Sequence, residues 1–146
     1  MSLMSIFDIS GSALSAQTVR LNATASNMAN VDSASSSAEG TYRARYPVFS
    51  AIQSRFQQLA FSGNSSLRAQ NAGVQILGIV EGDKPLQPRY EPEHPLANED
   101  GYVFYPNVNI VEEMTNMISS SRSFQANVEV MNSARTMMQR VLTMGQ

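Results

Sequence analysis

Between residues 107 and 146 an apolar side chain returns every seventh position, at Ile110, Met117, Phe124, Met131 and Met138, with Met114, Ser121, Val128, Arg135 and Leu142 falling between them. A stripe spaced alternately by three and four residues is the seam of a helix packed along its length against another helix. Asn109 stands where an N-cap belongs, Glu112 is placed three residues on to close a capping box, and Gly145 stands where a helix stops. The helix so bounded runs for roughly 35 residues, about 50 Å, well beyond an ordinary core helix. Its charges suit the helix dipole, with Glu112 and Glu113 in the first turn and Arg135 and Arg140 toward the end.

The other terminus repeats the pattern. Phe7, Leu14, Leu21 and Met28 are seven apart, and the companion positions Met4, Gly11, Thr18 and Ala25 are mostly small, so a partner helix can come close. Between Ile9 and Asn30 the one charged residue is Arg20. The remaining surface of Ser, Ala, Thr, Asn and Gln is polar yet cheap to dehydrate against neighbours.

Stripes of this kind are common where a helix packs in the core of its own subunit. Two long stripes at opposite ends of 146 residues cover each other on one side only, however, and Val111, Ile118, Val130 and Met137 widen the apolar arc. The surplus points to other subunits. Six of the nine methionines lie in the C-terminal helix; such flexible side chains suit contacts with non-identical neighbours, or fill gaps in a core.

Charged residues are 15% of the chain, under the roughly 25% of typical soluble proteins, which fits a surface destined for burial. Net charge is −2 and nine of the ten basic residues are Arg, leaving no basic field for nucleic acid or an anionic membrane. The absence of cysteine excludes disulfides, thiol nucleophiles and thiolate metal sites. No apolar run approaches the roughly 20 residues of a membrane span. The start, Met1-Ser2-Leu3-Met4-Ser5-Ile6-Phe7-Asp8, lacks the basic and apolar regions of a secretory signal.

The middle changes character. Val31 to Gly40 is a Ser/Ala run that reads as a flexible connector. Tyr42, Ala44, Tyr46 and Val48 alternate with Arg43, Arg45 and Pro47, a strand pattern, and Val74 to Val80 is a second strand bounded by Gly73 and Gly82. Ile52 to Phe61 fits helix and strand alike, and Ser62 to Ser66 reads as a turn. Pro85, Pro88, Pro92 and Pro95 punctuate an extended segment before Gly101-Tyr102-Val103-Phe104-Tyr105, one more strand leading into the long helix.

Chemistry finds little foothold. Glu91, Glu93, His94, Glu99 and Asp100 offer metal-ligating atoms, but Pro92 and Pro95 splay them along an extended loop, and a single His cannot build a usual zinc site. No serine sits in a nucleophile elbow, and Gly73, Gly78 and Gly82 form no phosphate cradle. The residues therefore leave three readings open: an assembly subunit, a helical-hairpin adaptor or secretion chaperone, and, more weakly, a metal-dependent hydrolase built on the acidic loop.

Several segments carry a resemblance. Ile6-Phe7-Asp8-Ile9-Ser10-Gly11-Ser12-Ala13-Leu14, then Arg20-Leu21-Asn22 through Ala25-Ser26-Asn27-Met28-Ala29-Asn30, and Arg122-Ser123-Phe124-Gln125-Ala126-Asn127-Val128-Glu129-Val130 resemble the bacterial flagellar axial proteins. Tyr90-x-Pro92-x-His94-Pro95-Leu96-Ala97, Gly101-Tyr102-Val103 and Pro106-Asn107-Val108 resemble the proximal-rod members of that family more than its other rod and hook members. Met28 stands where the family usually has Leu and Phe124 where it has Tyr, both keeping the seam apolar, and Ser33 to Gly40 separates Asn30 from Tyr42 where the family motif runs on.

The resemblance implies a structural subunit of the basal-body rod, without enzymatic activity or cofactor, polymerising helically into the periplasm-crossing shaft that carries torque to the hook and encloses the export channel. It implies an α+β fold whose long N- and C-terminal helices form a coiled coil in the inner tube, outside which sits a small β-rich middle domain. The implied boundaries are an N-terminal helix over 1–30, a flexible linker over 31–41, the middle domain over 42–106 and a C-terminal helix over 107–146. Partners would be other copies of the chain, neighbouring rod proteins, the membrane-ring and export base, and the type III export apparatus that secretes it without a cleaved signal. The expected subunit-contact residues are Phe7, Leu14, Leu21, Asn27, Met28, Asn30, Ile110, Met114, Met117, Phe124, Gln125, Asn127, Val128, Met131, Met138 and Leu142. Asn22, Asn27, Asn30 and Asn127 suit hydrogen bonds across helix contacts, or face solvent.

Overall fold

The computed structural model describes residues 3–52 and 73–144. The undecided stretch beyond Ile52, the Ser62 to Ser66 turn and the Gly145 stop signal lie outside the described residues. In chain order the elements are α1 (Leu3–Ala29), β1 (Arg45–Ala51), β2 (Val74–Glu81), β3 (Gln87–Tyr90), β4 (Tyr102–Tyr105) and α2 (Ile110–Met144), an α+β architecture.

The α2 helix has 35 residues, and Asn109 starts it. The Asn109 side-chain oxygen accepts from the Val111 and Glu112 amides at 3.0 and 3.4 Å, satisfying donors that the first turn leaves over. Glu112 does not simply complete a capping box: its carboxylate pairs with Lys84 at 3.1 Å, tying the first turn to the segment after β2.

Two side-chain hydrogen bonds set the direction of the helix pair. Asn27 donates to Glu113 at 3.2 Å and Arg20 to Asn116 at 3.2 Å, so falling numbers on α1 meet rising numbers on α2 and the helices are antiparallel. The face each turns inward is small and polar. On α1 the buried residues are Ser10, Ala16, Ala23, Thr24 and Asn27, and on α2 they are Glu113, Ser120 and Ala134. Short side chains let two backbones approach closely, and Ser120 meets its polar requirement within its own helix by donating to the Asn116 carbonyl at 2.7 Å.

The strands form two separate two-stranded antiparallel ribbons, β1–β2 and β3–β4. The first runs in register from Arg45 opposite Glu81 to Ala51 opposite Val74, with a bulge between Val48 and Phe49. It lies along α1 and is tied to it at both ends. Asn27 holds Arg45 by accepting from its amide at 2.9 Å and donating to its carbonyl at 3.0 Å, while Ser12 accepts from the Val74 amide at 3.1 Å. From Ser12 to Asn27 the helix rises about 22 Å, and a seven-residue strand spans about 23 Å, so ribbon and helix match in length. At the Ser12 end the backbone of Gly73 has φ +120° and passes so close to Ser12 that a side chain there would collide with it.

Among the described residues the middle has no core of its own. Leu77, Ile79 and Val80 of β2 are exposed, and the deeply buried apolar residues near the ribbons are Ala44, Val103 and Val108, at the junction with the helices. An isolated two-stranded ribbon is marginal in water, so the β1–β2 ribbon depends on α1, which it touches. The segment 31–41 forms turns, and within it Ser35 exchanges two backbone hydrogen bonds with Phe104 at 3.0 and 2.9 Å.

Candidate assembly interface

Asn27 is the most heavily used side chain in the structure and is fully buried. Its amide nitrogen donates to the Arg45 carbonyl and the Glu113 carboxylate, and its oxygen accepts from the Arg45 amide and from the Tyr42 hydroxyl at 2.9 Å. One residue thereby joins α1, the entry to β1 and the first turn of α2. Beside it the Tyr46 phenol is held above the ordinary 10.0, by burial first and then by the negative charges of Glu113 and Glu112.

Asn107 does the same work on the other side of the junction. It accepts from the Ala44 amide at 2.8 Å and donates to the carbonyls of Gly82 and Lys84 at 3.0 and 2.7 Å. Both asparagines are locks within the subunit. Asn30 and Asn127 bond back to carbonyls of their own helices, those of Ser26 and Ser123, each at 2.8 Å, and Asn22 is exposed. Of the four asparagines considered for contacts between helices, only Asn27 spans elements.

The remaining expected contact residues sort by exposure. On α2 the residues half-buried on the side of α1 are Met117, Phe124, Met131 and Met138, as the stripe implies, but their companions at the buried line are Glu113, Ser120, Asn127 and Ala134. The companions expected from sequence, Met114, Arg135 and Leu142, are exposed, while Ser121 and Val128 are half-buried. The inward seam is thus shifted by one position, and polar residues hid it from a search for apolar periodicity. On α1 the apolar stripe Phe7, Leu14, Leu21 and Met28 is only half-buried, because Ala16, Ala23 and Asn27 occupy the innermost line.

What this leaves outside includes many large apolar side chains. Ile110, Val111, Met114 and Ile118 are exposed at the start of α2, and Val130, Met137, Val141, Leu142 and Met144 at its end, separated by a belt containing Arg122, Gln125 and Glu129. Clusters of exposed apolar side chains such as these mark interaction sites. No described helix is long and apolar enough to cross a membrane.

The acidic loop is a folded turn. His94 accepts the Leu96 amide at 3.1 Å, Glu91 accepts the Tyr105 hydroxyl at 3.2 Å, and Asn98 accepts the amides of Asp100 and Tyr102. Among the described residues no group of three or more His, Cys, Asp or Glu side chains is placed to hold a metal ion. An open groove of about 510 Å³ beside the end of α1 is lined by Asn30, Ser33, Glu39, Tyr42, Arg43 and Glu81 among others, mostly polar groups.

Comparison with known proteins agrees with this architecture at both ends. Residues 7–34 match the family model described as flagella basal body rod protein, and residues 99–144 match the model described as flagellar basal body rod FlgEFG protein C-terminal. The chain belongs to the flagellar basal-body rod proteins, a family of structural subunits. Within that family its full-length similarity is to flagellar basal-body rod protein FlgC: 45% identity with that of Escherichia coli O157:H7 and 46% with that of Yersinia enterocolitica, each over 146 residues and all of both chains. The FlgC of Borreliella burgdorferi is 32% identical over 151 residues, covering all of this chain and 99% of that one.

Proposed function

We infer that the chain polymerises helically with other copies and with neighbouring rod proteins into the drive shaft of the flagellar basal body, carrying torque from motor to hook around a central export channel. The observation that carries this reading is the apolar surface left on α2 after α1 has packed against it. A folded subunit that keeps Ile110, Val111, Met114, Ile118, Val130 and Met137 in water has more to gain from neighbours than from itself.

In this reading the helices join into a coiled coil around the channel, with the ribbons outside. The exposed and half-exposed residues Phe7, Leu14, Leu21, Met28, Ile110, Met114, Gln125, Val128 and Leu142 meet other subunits, and Asn27, Met117, Phe124 and Met138 shape the subunit that presents them. The role is mechanical and not enzymatic. Secretion as an unfolded chain through the type III flagellar apparatus, without a cleaved signal, would bring it to the periplasmic rod. The test is complementation of a strain lacking the gene, followed by isolation of basal bodies: the chain should restore motility and be found in the rod, and motility restored with the chain absent from the rod would overturn the reading. Sedimentation of the purified chain adds a second check, since an adaptor would stop at a defined small oligomer.

A further inference from the structure

The chain has one Asp-Gly step, Asp100-Gly101, and no Asn-Gly step. At such a step no side chain shields the glycine amide nitrogen, which can attack the aspartate side-chain carbon, so Asp-Gly is where a chain most readily rearranges without an enzyme. The Gly101 nitrogen forms a bond to Cγ of Asp100, the Cγ–OH bond of the protonated carboxyl breaks, and the amide proton leaves with the hydroxyl as water, giving a five-membered succinimide. Water then reopens the ring. Addition at Cγ restores aspartate, whereas addition at the main-chain carbonyl leaves the backbone running through the side chain as isoaspartate, one methylene longer.

The structure places this step in a turn that favours the glycine and holds it still. Gly101 has φ +80°, and a Cβ there would lie 2.9 Å from the Tyr90 ring and 3.3 Å from Pro92, which disfavours any residue with a side chain. Its amide donates to the Asn98 carbonyl at 2.9 Å and its carbonyl accepts from the Glu91 amide at 2.9 Å, so the peptide planes on both sides are fixed. Asn98 closes the turn: its side-chain oxygen accepts from the Asp100 and Tyr102 amides at 3.1 and 2.8 Å, and its own amide donates to the Tyr102 carbonyl at 3.0 Å. Asp100 is exposed whereas Gly101 is buried. Solvent therefore reaches the carboxyl while the nitrogen that must attack it is tied. Attack needs that nitrogen to give up its proton and swing onto Cγ, and both are opposed while its N–H is bonded to Asn98.

We propose that Asp100-Gly101 is a site of spontaneous isoaspartate formation controlled by the Asn98 turn, closed in the folded chain and open wherever the turn opens. The added methylene falls just before Tyr102, which pairs with Tyr90 at the start of β4, and so works against the register of the β3–β4 ribbon.

The test incubates the purified full-length chain for several weeks at physiological pH and temperature, folded in buffer or unfolded in guanidinium chloride. Isoaspartate is read by enzymatic carboxyl methylation and assigned to position 100 by electron-transfer fragmentation. It is expected to form at 100 in the unfolded chain and at least tenfold more slowly in the folded one. Folded Asn98→Ala should form it several-fold faster than folded wild type, and Asn98→Asp, which keeps the accepting oxygen, should stay close to the wild-type rate. No isoaspartate at 100 in the unfolded chain would overturn the site. Equal rates in folded and unfolded wild type, or in folded Asn98→Ala and wild type, would overturn the control by the turn. Where circular dichroism shows Asn98→Ala to be unfolded, Asn98→Asp decides, since folded Asn98→Asp reacting as fast as the guanidinium-unfolded chain also overturns that control.

Discussion

The inward and outward faces of the helix pair invert the usual arrangement. Where α1 meets α2 the most buried residues are Asn27, Glu113, Ser120, Ala16, Ala23 and Ala134, small or hydrogen-bonded, whereas the face of α2 turned to solvent carries Ile110, Val111, Ile118, Val130, Met137 and Val141. The inner face gains specificity and little hydrophobic free energy; the exposed apolar side chains of α2 have no partner among the described residues. A subunit built this way gains stability from neighbours, which suits the rod assembly proposed above.

The largest expected effect breaks the outer face. Ile118→Asp should abolish rod assembly and swimming, because a carboxylate trapped in an apolar interface costs several kcal/mol, while the subunit itself changes by no more than about 0.5 kcal/mol. Phe124→Asp and Met117→Asp should also abolish assembly, but through the half-buried side against α1, so they lower subunit stability as well. Motility assays paired with denaturant unfolding separate the two kinds of variant, and normal swimming in all three would end the comparison.

Next in size is the inner lock. Asn27→Ala strands the Arg45 backbone, the Tyr42 hydroxyl and the Glu113 carboxylate without their shared partner, and should cost about 3 kcal/mol. Asn22→Ala, on the exposed side of the same helix, should stay within about 0.5 kcal/mol. Equal urea midpoints for the two variants would show that the lock contributes nothing.

Hydrogen exchange on the dilute subunit sharpens the same contrast. A long helix rich in Ser, Thr and Asn does not hold itself without a partner, so the protection of α1 is expected to rest on its packing against α2 and the β1–β2 ribbon. With the β1–β2 ribbon tied to Ser12 and Asn27, its amides should gain and lose protection together with those of α1, and a ribbon protected beside an unprotected α1 would show that the ties are dispensable.

A smaller effect is the alkaline limb. The folded chain holds the Tyr46 proton more strongly than the unfolded chain does, so that contribution to stability is complete below the ordinary tyrosine value of 10.0 and is lost as pH rises through the raised one. Tyr46→Phe should remove this part of the pH dependence, seen by comparing thermal midpoints from neutral to strongly alkaline pH. The smallest expected effect is none: the His94→Gln, Glu93→Gln double variant should assemble and swim normally, and stoichiometric zinc in the wild type, lost together with function, would contradict it.

Local sequence determined the helices and most of the strands. Heptad spacing and the Asn109 cap define an α2 that begins at Ile110 and runs 35 residues, and a β-branched run between Gly73 and Gly82 and the run after Gly101 define β2 and β4, because period, caps and turn residues act within a few residues of chain. Tertiary structure decided which line of each helix faces inward. One step along a helix is about 100° of rotation, and the line chosen is made mostly of short side chains that allow close approach and find hydrogen bonds inside, one oxygen of Glu113 through Asn27 and Ser120 through its own helix. Apolar periodicity is blind to that criterion, so Glu113, Ser120 and Ala134 went unread, and Asn107 stood out only within the motif Pro106-Asn107-Val108. Asn27 becomes a lock solely because Arg45, Tyr42 and Glu113, distant in sequence, converge on it: a buried amide is stable only where its partners arrive from several elements at once, and that convergence exists nowhere in the linear chain.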